Sequence, residues 1–355
     1  MPLSIDTRSC SPWVYDAAGS DQDVVISSRV RYARNLVSYP FPSRCSAEES
    51  RSICKEIEVT AEKVFGQQLN KVRIDELGRV EKNVLLERRL ASRDLLKSEM
   101  AAVIYDSDES FGIMVNEEDH LRLQKLASGN NLSEVFFAIS AAERELDEVL
   151  NFAFSERWGY LTACPTNLGS GMRASTLMHI PGLVLTQKIN KVLAAISNLG
   201  LTVRGFYGEG SGNQGFYFQI SNQVTLGRPE AELCQTLQRV IGQIIKQERM
   251  ARKNLFSNTK PEIQDRIGRA YGILSNARRI DTTEAQNLIS LCRLGVGSGV
   301  IPKQIDLAML DSLLFLTQPG HLEHSLDQKL KTSARDYYRA EKIRREFKKN
   351  SSEKT

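Results

Sequence analysis

The chain has 355 residues, of which 25% are charged and 41% hydrophobic, and it carries a formal net charge of +4. This length can bury a large core and predicts two or three domains, in a composition typical of a soluble globular protein. The small net charge argues against direct nucleic-acid binding, and no apolar run reaches the roughly 18 residues that a membrane-spanning helix requires.

The cysteines indicate neither a metal site nor a disulfide framework. They lie at positions 10, 45, 54, 164, 234 and 292, with no C-x-x-C pair and no histidine at ligand spacing. We therefore expect reduced thiols and no zinc. Because residues 1–16 contain an early acid and no apolar core, we also expect no secretory signal and a cytoplasmic location.

The first distinctive stretch follows an irregular segment over residues 1–20. Residues 24–28 are β-prone and lead directly into a cluster of cations. The cluster consists of Arg29, Arg31 and Arg34. Such arginines form either a solvated face or a grip for a polyanion, and the residues alone favour neither interpretation.

The next segments predict a helix, a strand and a hairpin. Ser46 as N-cap, with acids in the first turn, predicts an amphipathic helix over residues 46–65. Residues 84–86, ahead of a charged run, predict a strand. Two apolar runs, 102–105 and 111–115, predict a β-hairpin.

An acidic run follows this hairpin. It consists of Asn116, Glu117, Glu118, Asp119 and His120. On its own it predicts the start of a helix, because Asn116 can act as N-cap and carboxylates suit a first turn. The helical pattern continues through Leu121 and Leu126 and over residues 133–154.

A loop rich in hydrogen-bonding groups occupies residues 160–175. A short β-prone run, 160–163, precedes Cys164, and Arg173 follows the turn. A thiol and a guanidinium on one stiff loop suit an anion-handling site. On these residues alone, however, an ordinary turn with a buried cysteine is the favoured interpretation.

The centre of the chain predicts a helix and an antiparallel sheet. Apolar residues at 3.6-residue spacing predict a helix over 182–200. Strands predicted at 201–207, 216–220 and 224–226 are joined by short turns, which indicates an α+β class. The glycine loop at 210–215 fits G-x-G-x-x-G spacing, but it leads into a strand, so we reject a dinucleotide site.

The last third of the chain is predicted to be helical. A long helix is predicted over 229–255, a capping box lies at 281–284, and an apolar helix is predicted over 307–316. The charged tail contains R-D-Y-Y-R-A at 335–340, which on its own indicates a solvated helix face. We therefore predict an N-terminal segment, a mixed α/β domain and a helical domain, over 1–20, 21–255 and 256–355.

Five sequence blocks in this order resemble the catalytic domain of the phosphagen (guanidino) kinases, over about residues 21–255. The blocks are SSRVR at 27–31, NEEDHLR at 116–122, CPTNLGSGMRAS at 164–175, RGFYGE at 204–209 and ISN at 220–222. The chain is more narrowly similar to the McsB-type protein arginine kinases of bacteria. Only 26 residues precede Ser27, where phosphagen kinases carry a helical domain, and residues 256–355 resemble the C-terminal domain of protein arginine kinases. This resemblance implies an antiparallel β-sheet flanked by helices, plus a C-terminal all-helical domain that dimerises.

The resemblance implies phosphoryl transfer from ATP to arginine side chains in proteins. A guanidinium is a poor nucleophile, because its lone pairs are delocalised and its pKa exceeds about 12. By resemblance, Glu118 orients and deprotonates the guanidinium, Glu209 clamps its other nitrogens, and Cys164 adds a supporting negative charge. Much of the rate enhancement would then come from positioning the guanidinium against the phosphoryl group.

The resemblance also implies a phosphate site dominated by arginines, which stay charged and bind phosphate oxygens in pairs. The implied ATP-binding residues are Ser27, Ser28, Arg29, Val30, Arg31, Arg89, Arg122, Arg173, Ala174, Ser175, Thr176, Leu177, Arg204, Gly205, Phe206, Tyr207, Gly208 and Glu209. Arg89 stands where the family has a histidine, and Tyr207 stands where phosphagen kinases, but not the protein-kinase subgroup, have an arginine. Magnesium (Mg2+) would bridge phosphates and waters, so no protein metal ligands are expected.

By resemblance, the tail motif is an allosteric phosphoarginine site. Its residues are Arg335, Asp336, Tyr337, Tyr338, Arg339 and Ala340. Two guanidinium groups suit a phosphoryl group and one carboxylate suits a guanidinium. The resemblance further implies a homodimer or larger assembly that marks proteins for degradation in the bacterial stress response. The implied partners are a zinc-containing activator (McsA), a heat-shock repressor (CtsR) and a ClpC-type unfoldase.

Two other functions remain open at this point. One is a kinase that phosphorylates a small free guanidino compound, as arginine kinase does. The other is a catalytically silent adaptor that only binds phosphoarginine. The presence of Glu118, Glu209 and most of the arginines favours an enzyme.

Overall fold

An eight-stranded antiparallel sheet forms the centre of the computed structural model, which describes residues 5–15, 19–66, 69–205, 214–258 and 260–352. The strands are β1 (Val25–Arg34), β2 (Asn70–Arg73), β3 (Ala102–Tyr105), β4 (Phe111–Val115), β5 (Leu121–Ser128), β6 (Phe154–Ser155), β7 (Gly159–Tyr160), β8 (Met172–His179), β9 (Leu201–Gly205) and β10 (Tyr217–Asn222). The helices are α1 (Ala47–Phe65), α2 (Arg79–Glu87), α3 (Leu132–Leu150), α4 (Pro181–Leu185), α5 (Ile189–Asn198), α6 (Glu230–Asn258), α7 (Lys260–Asn276), α8 (Thr282–Gly295), α9 (Leu307–Leu316), α10 (Pro319–Ser325) and α11 (Thr332–Ser352). The sheet has the spatial order β2-β3-β4-β5-β1-β8-β10-β9, and β6 pairs with β7 separately.

The two faces of this sheet have different coverings. On one face Val30, Tyr32 and Ala174 are buried and pack on α1, α3 and α6 in the main apolar core. Because side chains alternate along a strand, the sequence R-V-R-Y in β1 directs Arg29 and Arg31 to the opposite face. The alternation therefore separates the apolar core from a cationic surface.

The cationic face is covered from two sides. Leu126 and Leu177 project from it into a second buried cluster, which the C-terminal helices and Trp13 complete. Val103 and Met114 project from the same face into a third cluster with α2. The arginine-bearing part of the face lies between these two coverings and borders a cavity.

Buried polar contacts hold the C-terminal helices against the sheet. In α8, the Nε atom of Arg293 donates to Asp311 of α9 at 2.7 Å, and Nη1 lies 3.1 Å from Nδ1 of His179 at the end of β8. In α2, Glu87 accepts a hydrogen bond from the backbone N–H of His321 at 2.9 Å, at the start of α10. Arg293 is thus neutralised by Asp311 within the C-terminal region, while its contact with His179 and the contact of Glu87 with His321 cross the interface.

The predicted fold class is confirmed, since an antiparallel sheet flanked by helices is followed by an all-helical region. The helix predicted over 46–65 is α1, and the Ser46 side chain accepts the N–H of Glu49 as its N-cap. The predicted hairpin is β3–β4, and the helices predicted over 229–255 and 307–316 are α6 and α9. None of the helices described is long and apolar enough to cross a membrane.

Two predicted element types are wrong. Residues 84–86, predicted as a strand, belong to α2, whose N-terminus is capped by Glu81 accepting the N–H of Gly78 at 2.8 Å. The helix predicted from Asn116 onward is a turn followed by β5. Residues 121–128 pair with both β1 and β4, and this pairing outweighs the local pattern.

Some predicted boundaries are also wrong. The helix predicted over 182–200 is divided into α4 and α5 at Gln187, which has a φ of 58°. Residues 224–226 form no strand, because Thr225 instead donates its hydroxyl to the carbonyl groups of the 164–171 loop. The strand predicted at 24–28 extends through Arg34.

Candidate active site

Arginines from three strands converge on one cavity of about 340 Å³. Arg29 and Arg31 lie on β1, Arg173 lies directly opposite Arg31 on β8, and Arg204 on β9 lies opposite Gln219 on β10. The remaining lining comes from Leu86, Glu87, Arg89, Ala91, Ser92 and Arg93, from Met114, and from Leu314, Phe315 and Gln318 of the C-terminal region.

The two cations that β1 contributes to this cavity lack matching counter-charges among the described residues. Neither Arg29 nor Arg31 forms an ion pair with a carboxylate in the described part of the chain, and the buried Nε of Arg31 has no hydrogen-bond partner there. Burial, and then the neighbouring cations Arg89, Arg122 and Arg173, lower the pKa of Arg29. Burial and neighbouring guanidinium groups also lower the pKa of Arg31. A site of this kind is preorganised for a polyanion, which would relieve the repulsion.

Hydrogen bonds with strand β10 position Arg173. Its Nη2 atom donates to the Ser221 hydroxyl at 3.1 Å, and the next residue, Ala174, donates its N–H to Asn222 at 2.8 Å. Asn222 in turn donates to the carbonyl of Met172 at 3.0 Å. The ISN block therefore fixes the β8 arginine, which explains why these residue types occur at this place.

Arg89 enters the cavity from an unusual backbone conformation. It follows α2 with a φ of 63°, and its carbonyl accepts the Gln124 side chain at 2.6 Å. Its guanidinium carbon lies 5.9 Å from the ring centroid of Phe315. A left-handed residue other than glycine is uncommon, and here tertiary contacts hold it beside the site.

The acidic run at 116–120 is a tight turn in which each carboxylate has different contacts. Glu117 binds Arg122 at 2.5 Å and is nearly inaccessible. Although burial acts to raise it, the Arg122 ion pair and the Ser92 hydroxyl lower the pKa of Glu117. Glu118 is exposed, and partial burial together with the charge of Glu117 raises its pKa. Glu118 is therefore the carboxylate available to an external group, with enhanced basicity.

Asp119 joins this turn to the cysteine loop. Its Oδ1 atom accepts the backbone N–H of Ala163 at 2.6 Å and the side chain of Asn35 at 2.6 Å. Cys164 follows directly, half-buried, with its Sγ 3.0 Å from the Thr166 hydroxyl. The structure thus joins the Glu118 turn to the loop that carries the thiol, and Ser92 of the cavity lining hydrogen-bonds Glu117 in that turn.

The other predicted site residues differ in their position relative to the cavity. Arg122 is held by Glu117 and does not line the cavity, although its charge acts on Arg29 and Arg31. Val30 and Ala174 face the apolar core, so only their backbone borders the cationic face. The remaining strand residues among the predicted ATP-binding set lie on β1, β8 and β9: Ser27, Ser28, Ser175, Thr176, Leu177 and Gly205. The predicted Phe206, Tyr207, Gly208 and Glu209 lie outside the described residues.

The cavity also contains residues that sequence reasoning missed. Gln219 directly precedes the ISN block, so its position next to a recognised motif was a usable signal. Arg93 carried only its charge as a signal. Leu314, Phe315 and Gln318 carried none, because nearly a hundred residues separate them from the nearest catalytic block.

Hydrogen bonds connect the tail motif to the surrounding helices. Arg339 is buried and donates to the carbonyl of Thr317 at 2.8 Å, to that of Ile280 at 2.9 Å and to Asp336 at 2.8 Å. Arg335 donates to Glu323 at 3.2 Å. These contacts connect the motif to the junction between α9 and α10, and phosphoarginine binding there stays a prediction.

Comparisons with known families cover both parts of the chain. Residues 52–251 match the model of the ATP:guanido phosphotransferase C-terminal catalytic domain. Residues 260–355 match the model of the protein-arginine kinase McsB C-terminal domain. Neither match includes β1, although that strand supplies two of the cavity arginines.

Similar whole chains and similar folds agree with these matches. The chain is 43% identical over 338 residues to the protein-arginine kinase of Halothermothrix orenii, covering 95% of this chain and 96% of that protein. It is 44% identical over 340 residues to the protein-arginine kinase of Brevibacillus brevis, covering 94% and 95%. The crystal structure of lombricine kinase superimposes with a TM-score of 0.59 at 23% identity, over 69% of this chain and 70% of that one. The duplicated taurocyamine kinase from Schistosoma mansoni gives 0.58 at 23% identity, over 70% of this chain and 36% of that one; both likenesses concern the fold.

Proposed function

Since this chain belongs to the protein-arginine kinase family, we propose that its arginine cavity holds ATP while Glu118 prepares an arginine side chain of a protein substrate. The chain is a phosphotransferase of the guanidino kinase class. The observation that carries the proposal is the gathering of Arg29, Arg31, Arg173 and Arg204 around one cavity, whose lining residue Ser92 hydrogen-bonds Glu117 next to the exposed Glu118.

ATP fits the charges of this cavity. A triphosphate would place its oxygens against Arg29 and Arg31, which form no ion pair with a carboxylate among the described residues, and Arg31 Nε is a buried donor in need of an acceptor. No group of three or more histidine, cysteine or carboxylate side chains in the described ranges could hold a metal alone. Magnesium would accordingly be held by the nucleotide phosphates and water, where it would neutralise phosphate charge.

Glu118 is proposed to act as the base. The substrate guanidinium nitrogen would attack the γ-phosphorus, its proton would pass to Glu118, and the bond to the β–γ bridging oxygen would break to release ADP. The raised pKa of Glu118 suits this role, because a stronger base takes the proton more readily. Glu209 would hold the other guanidinium nitrogens, as the family resemblance implies. Cys164, tied to the turn through Asp119 and Ala163, would add negative charge beside the substrate.

The proposed biological role follows the same resemblance. We propose that arginine phosphorylation marks proteins for degradation in a cytoplasmic stress response, and that phosphoarginine binds Arg335, Asp336 and Arg339 as an allosteric signal. Partners would be an activator, a repressor and an unfoldase of the McsA, CtsR and ClpC types, and the helical domain would dimerise. Binding at Arg339 would require it to exchange its present carbonyl and Asp336 contacts for phosphate oxygens.

The direct test is incubation of the purified chain with Mg-ATP and an unfolded protein. Mass spectrometry under conditions that preserve the acid-labile N–P bond should find phosphate on arginine side chains. Glu118→Gln should lower phosphoryl transfer roughly 10²- to 10⁴-fold and leave ATP affinity nearly unchanged, because only the proton acceptor is lost. The exposed Glu156→Gln, in the turn between β6 and β7, is the matched control and should retain full activity.

Two results would contradict the proposal in different ways. Phosphate found only on added free arginine would favour a kinase of a small guanidino compound. Unchanged ATP turnover in Glu118→Gln would favour an adaptor without catalysis by this site.

A further inference from the structure

One wall of the arginine cavity comes from the C-terminal helical region. Leu314 and Phe315 at the end of α9, and Gln318 just before α10, line the same cavity as Arg29 and Arg173. All three lie outside the catalytic sequence blocks and outside the matched catalytic domain at 52–251. The cavity is therefore a composite of two parts of the chain.

This wall adjoins the cationic part of the sheet face. Leu126 lies opposite Arg29, and Leu177 is two residues beyond Ser175 on the same face of β8. Both leucines pack in the buried cluster that contains Phe315. The face thus changes from cationic to apolar along its strands, and the end of α9 lies where that change occurs. A nucleotide lying along this face would have its phosphates at the arginines and its planar base at α9.

Phe315 presents a fixed aromatic ring to this cavity. The ring is only 3% exposed, and Trp13 packs edge-on against it with centroids 5.9 Å apart at 81°. The guanidinium carbon of Arg89 lies 5.9 Å from the ring centroid. The ring is therefore held rigidly, and because it is almost fully covered, a planar base would stack on it by displacing the Arg89 guanidinium from the side of the ring that Arg89 faces.

Gln318 adds a directional polar group. Its Nε2 atom donates to the carbonyl of Leu314 at 2.7 Å, which fixes the amide plane. Its Oε1 atom receives no hydrogen bond from the residues that the structure describes, and it is therefore available to an external donor. The exocyclic amine of adenine is such a donor, whereas guanine carries a carbonyl oxygen at the corresponding position.

The wall is anchored on two sides. Arg339 donates to the carbonyl of Thr317 at 2.8 Å, and Glu87 accepts the backbone N–H groups of Gly320 and His321 at 2.7 and 2.9 Å. Glu87 itself lines the cavity. The segment between α9 and α10 is consequently held in position before any ligand binds, which lowers the entropic cost of binding.

We infer that Phe315 and Gln318 form the base-binding part of the nucleotide site, so that the C-terminal region determines nucleotide specificity. Phe315 stacks on the base, and Gln318 accepts its exocyclic amine. This inference rests on the proposed function in that it takes ATP as the ligand of the cavity, but it concerns residues to which neither the resemblance nor the family matches assign a role.

The test compares two probes on the full chain by titration calorimetry, namely ATP and inorganic tripolyphosphate. Phe315→Leu should weaken ATP binding roughly three- to tenfold, which is the range expected for one lost aromatic stack, and should leave tripolyphosphate binding unchanged. Gln318→Leu should reduce the preference for ATP over GTP several-fold. Phe347→Leu is the matched control, because Phe347 is equally buried in the same apolar cluster, on α11, and does not line the cavity.

Three results of these binding measurements would contradict a base-binding role of Phe315. Equal weakening of ATP and tripolyphosphate, an equal effect of Phe347→Leu, or no effect of Phe315→Leu would each overturn the inference. If Phe315→Leu does not fold, Gln318→Leu decides alone, and an unchanged ATP preference contradicts the inference. Binding is measured without phosphoryl transfer. A chain that binds ATP through Phe315 but phosphorylates no protein arginine would therefore overturn only the proposed function.

Discussion

At the scale of single residues, three adjacent carboxylates differ because of what each one contacts. Glu117 is neutralised by Arg122 at 2.5 Å, Asp119 accepts the backbone N–H of Ala163 at 2.6 Å, and Glu118 is exposed. As isolated side chains, all three carboxylates would have similar acidity and similar hydrogen-bonding capacity. The fold assigns one to an ion pair, one to backbone anchoring and one to the substrate side.

The charge of Glu117 should tune the basicity of Glu118. Partial burial and the adjacent carboxylate of Glu117 raise the pKa of Glu118. Because the base must be ionised to accept a proton, phosphoryl transfer is lost as the pH falls through this raised pKa. Glu117→Gln removes the like charge and should lower the pKa of Glu118. The acid limb of the kcat profile should then move to lower pH.

A matched variant distinguishes this effect from a general loss of a buried ion pair. Glu109 is also buried and binds Arg88 at 2.6 Å, but it lies in the turn between β3 and β4, away from the acidic turn. Glu109→Gln should leave the acid limb in place. An unmoved acid limb in Glu117→Gln would show that Glu117 does not act on the base.

At the scale of elements, strand β1 shows what the sequence could and could not predict. The β-prone start was visible, but the strand extends through Arg34, because alternation continues as Arg29, Val30, Arg31 and Tyr32. This alternation is visible in the sequence, and it directs the arginine side chains toward the cavity and the apolar side chains toward the core. For β5, in contrast, an apparent helix start obscured the strand, since its structure depends on pairing with the preceding strand β4 and with β1, which is distant in sequence.

The candidate site was predictable to the extent that its residues lie in recognisable blocks. Arg29, Arg31, Arg173 and Arg204 were all identified from such blocks, and they line one cavity. The α9 wall could not be predicted, because Phe315 reaches the cavity only through tertiary packing against the sheet.

The loop before β8 should tolerate no side chain at Gly171. This residue has a φ of 60°, and a Cβ atom would lie 2.5 Å from Nη1 of Arg34 and 2.7 Å from the carbonyl oxygen of Ala33. Gly171→Ala combines a left-handed conformation with a clash against a buried guanidinium. We expect a loss of roughly 2–5 kcal/mol in the free energy of unfolding, measured by urea titration, and weaker ATP binding because Arg173 follows two residues later.

Gly227 provides the control for backbone conformation alone. Its φ is 73°, but a Cβ atom there would meet no atom within 4 Å. Gly227→Ala should therefore cost only about 1–2 kcal/mol. Equal losses for the two variants would contradict the steric role of Arg34.

At the scale of the whole molecule, buried histidines lie where the C-terminal helices meet the sheet domain. His179 contacts Arg293 at 3.1 Å, and His321 lies between Glu87 and Arg88 at 2.8 and 3.1 Å. Because Arg88 Nε can only donate, His321 Nε2 accepts, and Nδ1–H donates to Glu87. Protonated His321 would direct a second N–H at a guanidinium, so the interface requires the neutral ring.

These contacts predict that acid weakens the junction between the two regions. Burial, then the cations Arg293 and Arg252, lower the pKa of His179 well below its usual range. Burial also lowers the pKa of His321, against the opposing effect of Glu87. The unfolded chain takes up a proton at each histidine near pH 6.5, whereas the folded chain does not. Stability is thus fully present above that pH and falls below it, with each such histidine contributing a slope of up to about 1.4 kcal/mol per pH unit.

His321→Gln should remove one of these slopes, because the glutamine amide offers an NH2 donor and an oxygen acceptor without titrating. Between about pH 6.5 and 5.5, the free energy of unfolding should fall less steeply in the variant, by up to about 1.4 kcal/mol per pH unit. Urea unfolding can be followed through Trp13, which is buried against Phe315 at this junction, in a background where the exposed Trp158 is changed to phenylalanine. Parallel slopes in the two proteins would mean that His321 is protonated equally in the folded and unfolded chains. In that case the junction would not depend on a neutral ring between Glu87 and Arg88.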